Sequence, residues 1–523
     1  MKESEIFINQ IGYRPFDSKT VYVSKKTKGD AKEFSLCRKD GSLVYSGALE
    51  ALAEDELSGG GYFSGDFSEV NEAGQYFVKI GEAKSYIFSI SDSVYSEVSL
   101  SVLKYFTDSR CGQGICHTGV AEVYGSGEKK NVQGGWHDAG DYGRYIVAGT
   151  KAVMDLLLAY KKCPEKFNSL DGGKGFDLLG EVRFELEWML QMQREDGAVY
   201  HKISPYHFCN FIMPQEEKDQ LVLAPVSTAA TADFAGCLAY AAGFYKADFA
   251  EKLLAAAIKA QNYLFSHDDE FYINPPEITT GGYGDRDVRD ERYFALCSLF
   301  AATGDKNYLN QALKIREEKK KDKPDAKHPW NAGWQEGFGW PFVSGYGTEM
   351  LLEHADELPK ELLEEIQSGI ISQAEKYLAM SNSTAFGYCS KFVMWGSNGT
   401  ICDLAHLMLL AYDFTGRKEF LKASKNQIDY ILGCNPVNYC YVTGAGSKQV
   451  MHPHHRPSGA SGRVYPGMLS GGPCSGLLDA YAKEHLTKLP PLKCYADAQP
   501  SYSTNEVAIY WNSALVYVLM RVI

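Results

Sequence analysis

The sequence has no run of 18 uninterrupted apolar residues, so no segment reads as a membrane-spanning helix. Behind the opening Met1-Lys2-Glu3-Ser4-Glu5-Ile6 there is also no apolar stretch of signal-peptide length. A cytoplasmic protein is therefore expected, with a secreted one whose leader is absent from this sequence as the alternative. The 13 cysteines are odd in number and scattered, unlike the dense even spacing of a disulfide scaffold, and this favours reduced thiols. Positive charge is in short supply: Lys+Arg 53 against Asp+Glu 66 leaves −13, with pI ≈ 5.5. Neither nucleic acid nor an anionic membrane is expected as a partner. No phosphate-cradling P-loop occurs, and no organic cofactor is expected.

What is present is globular in composition, with 45% hydrophobic and 23% charged residues. At 523 residues the chain is long enough for more than one core. Up to about residue 90 the pattern is β-like. Val21-Tyr22-Val23, Phe34-Ser35-Leu36, Leu43-Val44-Tyr45, Tyr76-Phe77-Val78 and Tyr86-Ile87-Phe88 are separated by turn residues, with hairpin signals at Asp40-Gly41 and Gly81. A small antiparallel sandwich over 1–92 is predicted, supporting the chemistry rather than performing it.

Beyond it the apolar period becomes that of helices, expected near 146–160, 227–245, 290–302, 306–317, 361–378, 400–414, 418–432 and 506–520. A junction recurs: Thr303-Gly304-Asp305 leads to Tyr308-Leu309, and Thr415-Gly416-Arg417 leads to Phe420-Leu421. Tyr245-Lys246-Ala247-Asp248 before Phe249 is a looser copy. The rhythm suits stacked helical hairpins of about 55–60 residues, with room for some six over 93–523. Long Gly- and aromatic-rich loops between the helices are where chemistry is expected.

The densest loop is Gly134-Gly135-Trp136-His137-Asp138-Ala139-Gly140-Asp141-Tyr142-Gly143-Arg144-Tyr145. Two carboxylates three apart, fenced by glycines, are able to face one cavity, where mutual repulsion raises one pKa and suits a base working on water. The bland alternative is an Asp-capped helix start. Trp136, Tyr142 and Tyr145 favour the first reading, because aromatic planes stack on sugar rings. At the chain end, Glu506 is expected in the first turn of an apolar helix, where it serves as a general acid held protonated by burial or merely compensates the helix dipole. His452-Pro453-His454-His455-Arg456-Pro457-Ser458 admits metal binding, hydrogen bonding to a polar ligand, or loop packing.

Together these three segments resemble glycoside hydrolase family 9, the inverting cellulase family. Tyr200-His201-Lys202, Trp395-Gly396-Ser397-Asn398, Asp429-Tyr430-Ile431-Leu432-Gly433 with Asn435-Pro436, and Leu469-Ser470-Gly471-Gly472-Pro473 add to the likeness. Asn9-Gln10-Ile11-Gly12-Tyr13 resembles the immunoglobulin-like module of one branch. The resemblance implies a mainly α fold, an (α/α)6 barrel behind an immunoglobulin-like β-sandwich. It implies Asp141 as general base, Asp138 as a holder of water and Glu506 as general acid. His454 and Arg456 would bind sugar, with His201, Trp395 and Tyr510 as further contacts. The implied activity is hydrolysis of β-1,4 bonds in cellulose, soluble β-glucans or cellodextrins, endoglucanase by default, with a monomer as the default state. The alternatives are an exo-acting cellodextrinase, β-glucosidase or exo-β-glucosaminidase, and more remotely a non-catalytic carbohydrate-binding α-solenoid.

Two metals are expectations of the same kind. Asp285, Asp287, Asp290 and Glu291 form a stretch where relatives carry Ca²⁺, although Arg286, Arg289 and Arg292 offer the acids ion pairs instead. Cys111, Cys116 and His117 are similar to part of a zinc clip in which Gly112 replaces one ligand. A fourth ligand is then needed from elsewhere, Asp108 being a local option, or zinc is absent. Trp330, Trp334 and Trp340 read equally as sugar platforms or core packing. Lys319-Lys320-Lys321 reads as a solvated helix end.

Overall fold

Val, Tyr and Phe alternate with polar residues through Thr20–Ser24, Glu33–Arg38 and Gly74–Ile80, and each run is a strand in the computed structural model of the chain. The structure describes residues 5–112, 119–323 and 333–523. These fall into two compact units, one of Met1–Tyr105, Glu165–Phe176 and Glu375–Ile523, the other of Phe106–Pro164 and Asp177–Ala374.

In the first unit, a four-stranded sheet orders Ile6–Phe7, Thr20–Ser24, Tyr62–Asp66 and Glu50–Ala51. A second sheet orders Gly12–Tyr13, Phe88–Ile90, Gly74–Ile80, Glu33–Arg38 and Leu43–Ala48. They share one core that includes Ile8, Val21, Val23, Phe34, Leu36, Tyr76, Val78 and Phe88. The last strand starts later than its apolar run suggests. The Ser85 hydroxyl accepts from the Val78 amide at 2.9 Å and donates to the Tyr86 carbonyl at 2.7 Å, and this side-chain pairing interrupts the ladder before Phe88.

The same unit holds the helices Ser397–Thr415, Lys418–Ile431 and Ile509–Val522, which pack on one another. The sandwich is sewn to this part. The Gln10 side chain donates to the Asn438 carbonyl at 2.9 Å and accepts from the amides of Ser447 at 3.0 Å and Lys448 at 2.8 Å. Asn9 donates to Asp429 at 2.8 Å, and Phe386 packs among Phe7, Tyr22 and Tyr62.

In the second unit Ile146–Lys162, Thr228–Ala242, Arg289–Thr303 and Ser344–Glu353 are buried on nearly every side, as their continuous small and apolar sequences require. Ala247–Ser266 and Lys306–Lys319 bury only one stripe and return against Thr228–Ala242 and Arg289–Thr303, completing two hairpins. The repeated junction has one geometry in both units. Gly304 and Gly416 are left-handed at φ 70 and 64, and each amide donates to the carbonyl four residues back, at Phe300 and Tyr412.

A five-stranded sheet in the second unit had no counterpart in the sequence reading. It orders Lys129–Asn131, Val120–Val123, Leu221–Leu223, Lys202–Pro205 and Arg144–Tyr145. Its register sets Tyr145 opposite Lys202, directly behind the Asp138–Asp141 turn. Among the described residues no helix is long and apolar enough to cross a membrane.

Candidate active site

The turn carrying Asp138 and Asp141 is built on glycine. Gly135 has φ 80, and a Cβ there would stand 2.6 Å from the Trp188 ring, so no other residue lets the chain pass so close. The turn is then fixed from below. Glu185 accepts from the Trp136 amide at 2.6 Å, Glu181 accepts from the Trp136 indole at 2.9 Å and pairs with Arg110 at 2.8 Å, and Arg144 donates to the Gly134 carbonyl at 2.6 Å. Trp136, Tyr142 and Tyr145 are all buried, which corrects their reading as sugar-stacking planes: they hold the turn.

Asp138 and Asp141 are both buried but differently served. Asp141 Oδ2 accepts from the Gly143 amide and from the Tyr145 hydroxyl, each at 3.2 Å. Asp138 Oδ2 accepts from the Tyr283 hydroxyl at 2.5 Å, while its Oδ1 has no partner among the described residues. Burial, with the charge of Asp141 added, pushes the Asp138 carboxyl well above the usual range, and the Tyr283 hydrogen bond works against that shift. Two adjacent acids of unequal environment are equipped to hold and deprotonate a water molecule. Tyr283 was not singled out by sequence reasoning. Its signals were the glycines around it, Gly281-Gly282-Tyr283-Gly284, and it has an uncommon φ of 49.

His201 is corrected. It was expected to touch sugar, but it is fully buried, with Nδ1 2.8 Å from the Ser227 hydroxyl and Nε2 2.8 Å from the Gly282 carbonyl. The Gly282 carbonyl can only accept, so Nε2–H donates to it, and in the neutral ring that burial favours Nδ1 accepts from the Ser227 hydroxyl. Burial pushes its pKa down to about 3. It stacks on Tyr272 at 3.8 Å and anchors the segment that carries Tyr283.

In the first unit, Glu506 is half-buried and follows the short helix Tyr502–Asn505 in extended backbone, three residues before Ile509–Val522 begins, so it is not a first-turn residue. Its carbonyl accepts from the Gly471 amide at 2.7 Å, and it bridges to His454. The preceding Asn505 is saturated. It donates to the His452 carbonyl at 2.7 Å and to Asp497 at 3.2 Å, and accepts from Ser470 at 3.0 Å and Tyr495 at 2.8 Å. The motifs around Ser397, Ser470 and Asn512 converge here, with Asn398 donating to the Ser470 carbonyl at 2.9 Å and Asn512 accepting from the Leu469 amide at 2.8 Å.

His454 donates Nδ1–H to the Gln499 carbonyl at 2.7 Å, which fixes the orientation of the ring. Arg456 opens a six-residue helix and is buried at its start, and Tyr510 is half-buried against Trp511. Trp395, 42% exposed, lies 5.2 Å from Tyr502 at a tilt of 49°, a paired aromatic surface of which the sequence reading had only the tryptophan. The three histidines have separate partners, His455 with Ser458 and His452 near Asp497, and so do not share a metal.

The calcium set is also corrected. Against the cost of burial, Arg289 and Lys319 hold Asp287 down to about 2, and Asp290 is taken by Lys319 at 3.2 Å and the Val343 amide at 3.1 Å. Lys319 is accordingly no solvated helix end. The unsatisfied oxygens belong to Asp233 (both) and to Glu291 Oε2, and burial plus the repulsion of Asp290 and Asp285 pushes both carboxyls up. Asp285 is pushed up to about 6, by burial first. Among the described residues no three His, Cys, Asp or Glu side chains are spaced to hold a metal as they stand. Cys116, His117 and Trp330 lie outside the described residues, and Cys111 is buried. Trp334 is half-buried, donating to Glu336 at 2.7 Å and packing on Tyr293, whereas Trp340 packs 4.9 Å from Tyr283 beside Asp138.

Residues 95–519 match the model of Glycosyl hydrolase family 9, and residues 1–85 match that of the Cellulase N-terminal ig-like domain. The chain is 34% identical to a cellodextrinase of Butyrivibrio fibrisolvens, over 99% of this chain and 100% of that one. It is 31% identical to endoglucanase D of Acetivibrio thermocellus, over 99% and 83%. The crystal structure of a single-mutant thermostable endoglucanase from Alicyclobacillus acidocaldarius superimposes with a TM-score of 0.90 at 31% identity, covering 99% of both chains. The chain therefore belongs to glycosyl hydrolase family 9, a glycoside hydrolase with an (α/α)6-barrel catalytic domain behind an immunoglobulin-like module.

Proposed function

We propose that this hydrolase cleaves β-1,4-glucosidic bonds of cello-oligosaccharides and soluble β-glucans with inversion at the anomeric carbon. Asp141 is the general base, Asp138 steadies the attacking water, and Glu506 protonates the leaving oxygen. His454 and Arg456 hold sugar hydroxyls, and Trp395 with Tyr502 gives a ring somewhere to stack. The observation that carries the reading is the buried pair of acids, each hydrogen-bonded by its own tyrosine hydroxyl, Tyr145 on Asp141 and Tyr283 on Asp138. Asp141→Asn and Glu506→Gln should each lower kcat by at least about 10²-fold with folding retained. Near-normal turnover in either variant removes that residue from its role.

Endo action is the default, and one observation favours an exo-acting reading: the cellodextrinase relative is matched along its whole length. Chromatography of products from cellohexaose, with viscometry on carboxymethyl-cellulose, separates the two. Mixed oligomers with fast viscosity loss mean internal cutting; stepwise glucose or cellobiose with viscosity intact means cutting from an end.

Calcium belongs to the proposal too, on a revised set. Asp233 and Glu291 are buried and Asp285 half-buried, hard oxygen donors that repel one another; an ion drawn among them by a side-chain shift would relieve that repulsion and hold two helices together. Chelation by EDTA should lower Tm by several degrees, restored by added Ca²⁺; an unchanged Tm removes the ion.

A further inference from the structure

Lys202 does not behave like an ordinary buried lysine. It is 0% exposed, on the strand Lys202–Pro205, directly across from Tyr145, whose hydroxyl donates to Asp141. Its Nζ reaches four oxygens: Asn274 Oδ1 at 2.9 Å, Thr280 Oγ1 at 2.9 Å, the Thr280 carbonyl at 3.3 Å and the Gly281 carbonyl at 2.5 Å. Three of these are carbonyl oxygens, able only to accept, so they demand the three hydrogens of an ammonium rather than the two of an amine. Among the described residues, however, no carboxylate lies within ion-pair distance of it. A buried charge without a contacting counter-ion is expensive, and a neutral Gln or Met would tether the segment or fill the space at lower cost.

The charge is therefore the feature that needs a reason, and its surroundings supply one. From the turn and its strand it faces Asp141 and the Tyr145 ring, 5.5 Å away; from the 272–281 segment, the Tyr272 ring at 5.9 Å and the neutral Asn274 and Thr280; next to it in the chain, His201, which is neutral. Asp141 is the one negative group acting on it. Burial pushes the ammonium down to about 7 while Asp141 pulls it up. The ammonium thus stands behind the one tyrosine whose hydroxyl is hydrogen-bonded to the base, and the attraction acts on both partners.

We propose that Lys202 is a positioning residue for the catalytic base: its buried ammonium keeps Asp141 ionised and, by gripping Thr280 and Gly281, sets the segment that carries Tyr283. The inference rests on the reading of Asp141 as general base. The test is the pH dependence of kcat/KM on cellotetraose for wild type, Lys202→Met, Lys202→Arg and Asp141→Asn, with circular dichroism and Tm as folding controls. Without the ammonium the charged base is harder to form, so the acidic limb of Lys202→Met should move to higher pH by about half a unit or more, with kcat/KM near pH 6 down at least about tenfold. Lys202→Arg should bring the limb back even if kcat stays low. A folded Lys202→Met with its acidic limb in place overturns the inference, as does a Lys202→Arg displaced as far as the methionine variant. Should Lys202→Met not fold, Thr280→Val removes one acceptor and leaves the charge: kcat should fall with the limb unmoved, and a displaced limb overturns the inference. An active Asp141→Asn would sink the base reading itself, whereas an inactive one beside an unmoved Lys202→Met limb sinks only the role of Lys202.

Discussion

Asp138 sits in the folded protein under strain of charge. One oxygen takes the Tyr283 hydroxyl, the other takes nothing among the described residues, and burial with Asp141 raises its pKa well above the unfolded value. Such a group binds its proton more tightly folded than unfolded, so its contribution to stability is full below the unfolded value and lost as pH rises through the folded one. An asparagine has no charge to lose. Asp138→Asn should therefore raise Tm at pH 7 by a few degrees, lose that advantage below about pH 4, and lower turnover at the same time; calorimetry at the two pH values checks the sign. At this scale the sequence was legible where motifs are local. Asp138, Asp141 and Glu506 stand out by their neighbours along the chain, but Tyr283 reaches Asp138 across 145 positions and Tyr502 meets Trp395 only after folding. His201 was misread for a related reason. Its place in a motif is visible in the sequence, while the loss of both ring nitrogens to Ser227 and Gly282 is a fact of packing.

The two junction glycines show what an element-scale signal contains. At each, the preceding threonine hydroxyl donates to the carbonyl four residues back, Leu299 or Ala411, at 2.7 Å, and accepts at 3.2 Å from the amide two residues on, at Asp305 or Arg417. Gly416→Ala forces a side chain into the left-handed region and should cost about 1–2 kcal/mol, read from urea or thermal melts; Gly304→Ala should match it. A local device of this kind, with the apolar period around it, is why helix ends were found within a few residues. The five-stranded sheet was hidden because its strands have two to four residues and pair over long separations, Ala121 with Leu221 for example. Nothing within so short a window distinguishes a strand from a loop. It is nonetheless the sheet that sets Lys202 against Tyr145.

For the whole molecule, the immunoglobulin-like module is part of a larger unit rather than an appendage, since that unit combines the first 105 residues with the last 149. Gln10→Ala would strip the partner from the buried Asn438 carbonyl, at about 1–3 kcal/mol, and from the less buried amides of Ser447 and Lys448, at less each. A drop of several degrees in Tm is expected, with the pH profile of activity unchanged; differential scanning calorimetry and a pH series check both halves. The motif Asn9-Gln10-Ile11-Gly12-Tyr13 was visible in the sequence as a signature, but its work, which is to hold the region 429–448, was not.

Phe386, seated among Phe7, Tyr22 and Tyr62, has a further consequence for the newborn chain. The sandwich leaves the ribosome first, and the residue that covers its aromatic face follows some 320 positions later, about 16–65 s at ordinary elongation rates. Arg14, paired locally with Asp17, waits longer still for its second acceptor, the carbonyl of Val522. The module therefore keeps a sticky face uncovered while the intervening residues are made, which makes the interval before residue 386 emerges the period when misassembly and chaperone capture compete with folding.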